Sequence, residues 1–263
     1  MSFETILFEI ADGVACITLH RPDKLNSFTA TMHVELRAAL KQVHDDDSVR
    51  VLFITGSGRG FCAGQDLSER VMSEETGPFD LGATLEQNYN PLITGLREMD
   101  MPVICAVNGV AAGAGCNFAL ACDIVLAARS ATFIEAFSRI GLIPDAGGTY
   151  VLPRLVGSAR AMALSILAEP VTAEQAERWG LIWKCVDDDK LASEARELAA
   201  RLAKGPTRAY ASIKRALHAS QGNTLAQQLS LEATLQREAG KSADFQEGVK
   251  AFLEKRPARF SGL

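Results

Sequence analysis

Segment 108–117 reads Asn-Gly-Val-Ala-Ala-Gly-Ala-Gly-Cys-Asn and is nearly free of side chains, between an apolar run at 102–107 and a helix-like pattern at 118–122. Small residues at a strand-to-helix junction permit close backbone approach and leave N–H groups open at the helix start. Such a helix end holds negative charge. The dinucleotide reading of that charge falls on glycine spacing. Residues 51–55 read as a strand followed by Gly56-Ser-Gly-Arg-Gly60, but Phe61 stands where the third glycine of a dinucleotide fingerprint belongs, and Phe118 stands there after Gly113 and Gly115. The chain has no Walker sequence, no GxSxG elbow and no HExxH. The acidic run 45–47 reads as an exposed turn, because nothing nearby supplies further ligands, and the run 187–189 reads as capping and solvated charge ahead of a helix. No metal site is expected.

The elements that must position the junction follow from periodicity. Residues 6–10 and 14–19, apolar and β-branched around Ala11-Asp12-Gly13, predict a hairpin. Met32, Leu36, Leu40 and Val43 share one face of a helix that closes in the polar turn 44–47. Residues 123–128 predict a strand, and 131–133 another. Residues 68–90 are mixed and polar around Gly77-Pro78, which predicts a mobile surface segment, partly helical, bordering a pocket. From about Tyr150 onward almost everything reads as helix: 159–168, 173–179, 191–203, 207–219, 225–238 and 243–255, separated by Pro170, Gly180, Pro206, Gly222 and Gly240. Strands alternating with helices, and then helices alone, predict an α/β core over 1–200 and a helical C-terminal region over 201–263.

Bulk properties narrow the partners. The 263 residues are 48% hydrophobic and 22% charged, an ordinary globular balance. A formal charge of −5 without a basic stripe argues against nucleic acid. No apolar run approaches the roughly 20 residues of a membrane helix, and the first five residues, Met-Ser-Phe-Glu-Thr, do not start an export signal. Six cysteines without a CxxC pair, mostly in apolar runs, read as reduced and buried, so a cytoplasmic protein is expected.

Residues 61–67 (Phe-Cys-Ala-Gly-Gln-Asp-Leu), 106–116 and 123–127 resemble the crotonase, or enoyl-CoA hydratase/isomerase, superfamily. Residues 21–27 (Arg-Pro-Asp-Lys-Leu-Asn-Ser) and 141–149 (Gly-Leu-Ile-Pro-Asp-Ala-Gly-Gly-Thr) match it too, so the resemblance spans the chain in order. It implies a crotonase-like ββα-superhelix core, a C-terminal helical trimerisation region, homotrimers that pair into homohexamers, and acyl-CoA substrates. Coenzyme A would enter as part of the substrate, with no cofactor bound permanently. Chemistry beside a thioester carbonyl passes through an enolate-like anion, which two preorganised N–H donors stabilise. By resemblance those donors are the backbone N–H groups of Gln65 and Ala114. Lys24, Leu25, Ala63, Gln65, Asp66, Leu67 and Gly113 match positions along the acyl-CoA path, and Phe260 matches an aromatic that reaches the carrier on a neighbouring subunit.

The acid and base positions decide the reaction. The motif match puts Asn117 and Phe137 where hydratases similar to this chain carry two glutamates, and neither can act as a carboxylate base. Glu135 is a weak substitute, since an offset of two from Phe137 is about 200° on a helix. Asp145 matches the catalytic aspartate of dienoyl-CoA isomerases and chlorobenzoyl-CoA dehalogenases in the superfamily. After proline and before Ala-Gly-Gly-Thr it is also a good helix N-cap. The two roles predict opposite electrostatics: a capping carboxylate has a depressed pKa, one facing an apolar acyl pocket a raised pKa. Asn117 either positions a water or a substrate oxygen or caps locally. Residues 106–115, 141–145 and 179–183 are most similar to the superfamily's isomerases of ring-epoxide acyl-CoA thioesters. An acyl-CoA isomerase is therefore expected, with an enoyl-CoA hydratase and a non-catalytic CoA-binding homologue as alternatives.

Overall fold

The computed structural model describes residues 3–70 and 80–262. The expected hairpin forms from β1 (Ile6–Ala11) and β2 (Val14–Leu19), in register from Ile6 opposite Leu19 to Ala11 opposite Val14. Asp12 and Gly13 both take positive φ in the turn, which glycine does at no steric cost. Helix α1 (Ala30–Asp45) starts where the Thr29 hydroxyl accepts from the Met32 N–H, and it buries Met32, Leu36, Leu40 and Val43, the periodic face.

From there the chain winds as a superhelix. Strand β3 (Val51–Gly56) lies in one sheet and β4 (Gly60–Cys62) in a second; β5 (Val103–Val107) and β6 (Val110–Ala112) repeat the step, and β7 (Ile124–Ala128) and β8 (Thr132–Ile134) repeat it again. The larger sheet runs β1-β2-β3-β5-β7-β10 and the smaller β4-β6-β8-β9, where β9 is Val171–Thr172 and β10 is Lys184–Val186. Strands β2, β3, β5, β7 and β10 pair parallel, as do β4, β6 and β8. β5 is wholly buried, as expected of a parallel strand covered on both faces. Between turns run α2 (Leu81–Thr84), a π-helical turn at Leu85–Tyr89, and α3 (Asn90–Glu98), then α4 (Ala114–Leu120). After β8 come a 3₁₀ turn (Ala136–Ile140), α5 (Gly148–Leu167) and α6 (Ala173–Trp179).

Two expectations need correction. The chain after Tyr150 is not all helix, because β9 and β10 interrupt it; strands of two and three residues are too short to leave a period. The helix expected at 159–168 forms after Gly157, whose φ of 78° and ψ of 162° separate it from a helical stretch that starts at Gly148. Asp187, Asp188 and Asp189 do not cap α7 (Leu191–Ala203): its N-cap is Lys190, with no side-chain cap bond. Asp187 instead binds Arg129 and Lys190, and Asp188 accepts from the Ser130 N–H, fastening the turn after β7.

Helices α8 (Thr207–Ser220), α9 (Leu225–Ala239) and α10 (Ala243–Leu253) complete the chain. Lys214 on α8 is buried and donates to the Leu96 carbonyl at 3.0 Å, with the Asp123 carboxylate 2.9 Å away. Burial raises the Asp123 pKa although Lys214 opposes it. The α8–α10 surface exposes Ile213, Leu217, Leu225, Phe245 and Phe252. Among the described residues no helix is long and apolar enough to cross a membrane.

Candidate active site

Because β4, β6 and β8 pair parallel, their C-terminal ends lie along one edge of the small sheet, the edge where open α/β sheets bind ligands. The segments that leave these three strands converge there. A cavity of about 270 Å³ is lined by Ala63, Gly64, Gln65 and Leu67 after β4, by Gly113 and Ala114 after β6, and by Phe137, Leu142 and Asp145 after β8. Leu81, Thr84, Leu85 and Tyr89 close it, so the described part of the expected 68–90 segment is helical and borders a pocket; residues 71–79 lie outside the described residues. Two larger hollows, of about 460 Å³ beside α3, α5 and α8 and about 1030 Å³ under α8–α10, do not touch these strand ends.

Each backbone turn at the site is fixed by sterics. Residues 63–66 run beside 25–28: the Ala63 N–H donates to Leu25, the Phe28 N–H to Gly64, and the Asp66 N–H to Phe28. The Gln65 N–H therefore points away from that neighbour. Gly64 has φ of 86°, and a Cβ there would lie 2.8 Å from the Ala112 carbonyl oxygen and 3.5 Å from the Ala114 nitrogen, which shows how closely the two turns approach. Gly113 has φ of 53° and ψ of −127°, open only to glycine, and it precedes α4. The Ala114 N–H, first in that helix, has no acceptor among the described residues. Gly115 packs so closely on β4 that a Cβ would sit 2.3 Å from the Cys62 carbonyl oxygen. The Gln65 side chain is held from both ends: its amide nitrogen donates to the Phe28 carbonyl at 3.1 Å, and the Tyr89 hydroxyl donates to its oxygen at 2.8 Å. Sequence reasoning missed this role of Tyr89, which sits in a π-helical turn, a local irregularity frequent at functional sites.

Asp145 does not cap α5. The N-cap position belongs to Gly147, without a side-chain cap bond, and Asp145 Oδ1 is buried with no partner among the described residues. Burial raises its pKa to about 6, the sign expected of a carboxyl facing an apolar pocket. The Phe137 ring lies beside the Gly113 turn, 3.7 Å from where a Cβ there would be.

Asn117 is not on the cavity wall. It is buried, and its amide nitrogen donates to the Asp145 backbone carbonyl at 2.8 Å and to Glu135 Oε2 at 3.3 Å. Of its two readings, the partners it has are those of a local tie: it holds two loops together beside the pocket. Glu135 also corrects the helical-offset argument, because its backbone is not helical, at φ −84° and ψ 72° ahead of the 3₁₀ turn, and it is buried with 3% exposure. Burial raises its pKa to about 7 against the opposing hydrogen bonds of Cys116 and Asn117, and the Asp145 charge raises it further.

Two consequences can be measured. Gly148 has no room for a side chain: a Cβ would lie 2.3 Å from the Asn117 amide nitrogen. Gly148→Ala is expected to cost about 1–3 kcal/mol by overpacking, read as a lower urea midpoint with an unchanged slope. The second concerns pH. A carboxyl whose pKa is raised on folding stabilises the fold while protonated, and that contribution is lost as pH rises through the folded pKa, here about 7. Glu135→Gln keeps an acceptor for Asn117 and removes the ionisation. Its stability relative to wild type is expected to improve by on the order of 2 kcal/mol between about pH 4 and about pH 8, read by urea denaturation.

Of the other residues expected on the acyl-CoA path, Lys24, Leu25 and Asp66 do not line this cavity. Lys24 is exposed and Leu25 is part-buried at a φ of 47°. The Asp66 carboxyl is held down to about 2 by hydrogen bonds from Ser68 and Arg21. Phe260 lies by the α8–α10 hollow of its own chain, its ring over Gly248 and its carbonyl accepting from Arg50.

The family model described as enoyl-CoA hydratase/isomerase matches residues 9–262. The chain belongs to that family. It is 55% identical over 260 residues to the 1,2-epoxyphenylacetyl-CoA isomerase of Escherichia coli (strain K12), covering 98% of this chain and 99% of that one. It is 51% identical over 262 residues to a protein of Rhodobacter capsulatus named probable enoyl-CoA hydratase, covering the whole of both. The crystal structure of an enoyl-CoA hydratase from Bacillus anthracis superposes with a TM-score of 0.92 at 32% identity, over 99% of this chain and all of that one. The two-sheet superhelix is thus the crotonase fold.

Proposed function

We propose that this protein is an acyl-CoA isomerase of phenylacetate catabolism, converting 2-(1,2-epoxy-1,2-dihydrophenyl)acetyl-CoA to its oxepin isomer and shifting a double bond in an unsaturated acyl-CoA. The observation that carries the reading is Asp145: a carboxyl with raised proton affinity on the wall of a mostly apolar cavity, which the turns at Gln65 and Ala114 and the Arg139 side chain also line. The 55% identity to the E. coli isomerase supports the choice of substrate.

In the double-bond shift, the thioester oxygen lies between the N–H groups of Gln65 and Ala114. Asp145, ionised, takes a proton from the carbon between the carbonyl and the double bond. The electron pair delocalises over the carbonyl as a dienolate, its charge held by the two N–H donors. The protonated Asp145 returns the proton to the far carbon, so the double bond moves and nothing is gained or lost. In the ring expansion the same carboxyl orients the epoxide or assists opening of its C–O bond.

Hydration is the less supported reading. Glu135 does not line the cavity and Phe137 has no ionisable group, so among the described residues Asp145 is the one carboxyl on the cavity wall. The test compares double-bond migration in an aryl 3-enoyl-CoA with hydration of crotonyl-CoA. Isomerisation is expected to dominate, with kcat/KM rising as Asp145 ionises through about pH 6. Robust hydration that survives Asp145→Asn would overturn the assignment.

The carrier is proposed to run from the cavity past Leu67 toward Lys24, Leu25 and Asp66. The apolar residues exposed on α8–α10 support assembly into trimers, and of trimers into hexamers, in which Phe260 reaches the carrier of a neighbouring subunit. A cytoplasmic location is proposed with them, on the six free cysteines.

A further inference from the structure

At and behind the cavity wall, three linked residues each carry a buried oxygen atom without a donor. Asn117 Oδ1, Glu135 Oε1 and Asp145 Oδ1 are all buried and have no hydrogen-bond partner among the described residues. One amide nitrogen links the groups that carry them, because Asn117 Nδ2 donates both to Glu135 and to the Asp145 carbonyl. No ion pair among the described residues neutralises either carboxyl. Buried acceptors in this number are stable when a proton supplies the missing donor. Among the described residues, the only other titratable group that acts on Glu135 is the Cys116 thiol of α4, pushed well up by burial and by the Glu135 charge itself, so it stays neutral.

We propose that Glu135 is a positioning residue that acts through Asn117: it orients the amide that holds Asp145, and its proton couples to the charge on Asp145. The inference rests on Asp145 being the acid/base of the reaction. Asp145 ionises first, at about 6, and its charge is one cause of the Glu135 value of about 7, so between the two the resting site holds an Asp145 carboxylate in front of a protonated Glu135. The coupling is reciprocal: ionisation of Glu135 strengthens Asp145 as a base. A carboxylate that gives its proton back on the second half of the reaction gains from a neutral neighbour, because a stronger base is a weaker donor.

The coupling is read without turnover by pH-difference infrared spectroscopy of the protonated-carboxyl band of the intact protein. Wild type is expected to lose that band in two steps, near pH 6 and near pH 7. Glu135→Gln removes the upper step. Asp145→Asn removes the lower and moves the upper to lower pH. An upper step that Asp145→Asn leaves in place, or that Glu135→Gln leaves present, overturns the inference. The positioning role is read in kinetics. Glu135→Gln, which mimics the protonated acid, keeps kcat within about threefold of wild type near pH 6 and loses any second inflection near pH 7, whereas Glu135→Ala lowers kcat by about 10- to 100-fold with KM little changed. Equal kcat for Glu135→Ala and wild type removes the positioning role. Full activity in Asp145→Asn, with the two steps coupled in wild type, would instead defeat the acid/base reading of Asp145 and leave the pair standing.

Discussion

Asp145→Asn is expected to lower kcat/KM for double-bond transposition by about 10²- to 10⁴-fold, the usual contribution of a positioned acid/base. The substitution keeps size and shape. The Asp145 side chain makes no hydrogen bond among the described residues, and it is the backbone carbonyl, not the carboxyl, that Asn117 holds. The fold should therefore survive, and it should be slightly more stable above about pH 6, where wild type must ionise a buried group. The pH dependence provides the control: the acidic limb of kcat/KM near pH 6 disappears with the carboxyl. Loss of activity accompanied by loss of CoA-ester affinity would point instead to a deformed pocket, so dissociation constants for a saturated acyl-CoA are measured beside the rates.

Ala114→Pro is expected to lower kcat by about 10²- to 10³-fold, the effect of losing one donor from an oxyanion hole. A backbone N–H is difficult to delete, but this position allows it. Ala114 is the first residue of α4, where proline fits the helix and where the N–H has no acceptor among the described residues. Gly113 ahead of it has φ of 53° and ψ of −127°, the mirror image of the extended conformation that a residue before proline prefers, which glycine alone adopts freely. Folding is thus little affected while the proposed donor is removed. Measuring kcat and KM separately decides the matter: an interaction made chiefly in the transition state lowers kcat and leaves KM nearly unchanged. An unchanged rate would mean that the thioester oxygen lies elsewhere.

Most of the fold was legible because long elements leave periods. The α1 face of Met32, Leu36, Leu40 and Val43 and the hairpin around Asp12 and Gly13 are local patterns that tertiary context did not override. β9 and β10 were not legible, since a strand of two or three residues is defined by its partner rather than by its own sequence. At the site, the motifs at 61–67, 108–117 and 141–149 located the residues that line one cavity, but they could not show where side chains point. Asp145 after proline looked like a helix cap, yet Gly147 takes that place with a left-handed backbone. Glu135 was argued away on α-helical geometry, but its own backbone is not helical and Phe137 sits in a 3₁₀ turn. Asn117 lies on α4 beside the site but turns its amide inward, a choice set by Gly148 leaving room for it across the interface.

The three parallel strand ends of the small sheet divide the chemistry between them. Ends one and two carry backbone donors, which depend on glycine turns and hardly at all on side-chain identity. End three carries every ionisable group of the proposed mechanism, Glu135 and Asp145 alike. The frame that stabilises the anion therefore does not depend on which groups move protons. Exchanging residues between β8 and α5, together with position 117 on α4, changes the proton-transfer scheme without rebuilding the pocket.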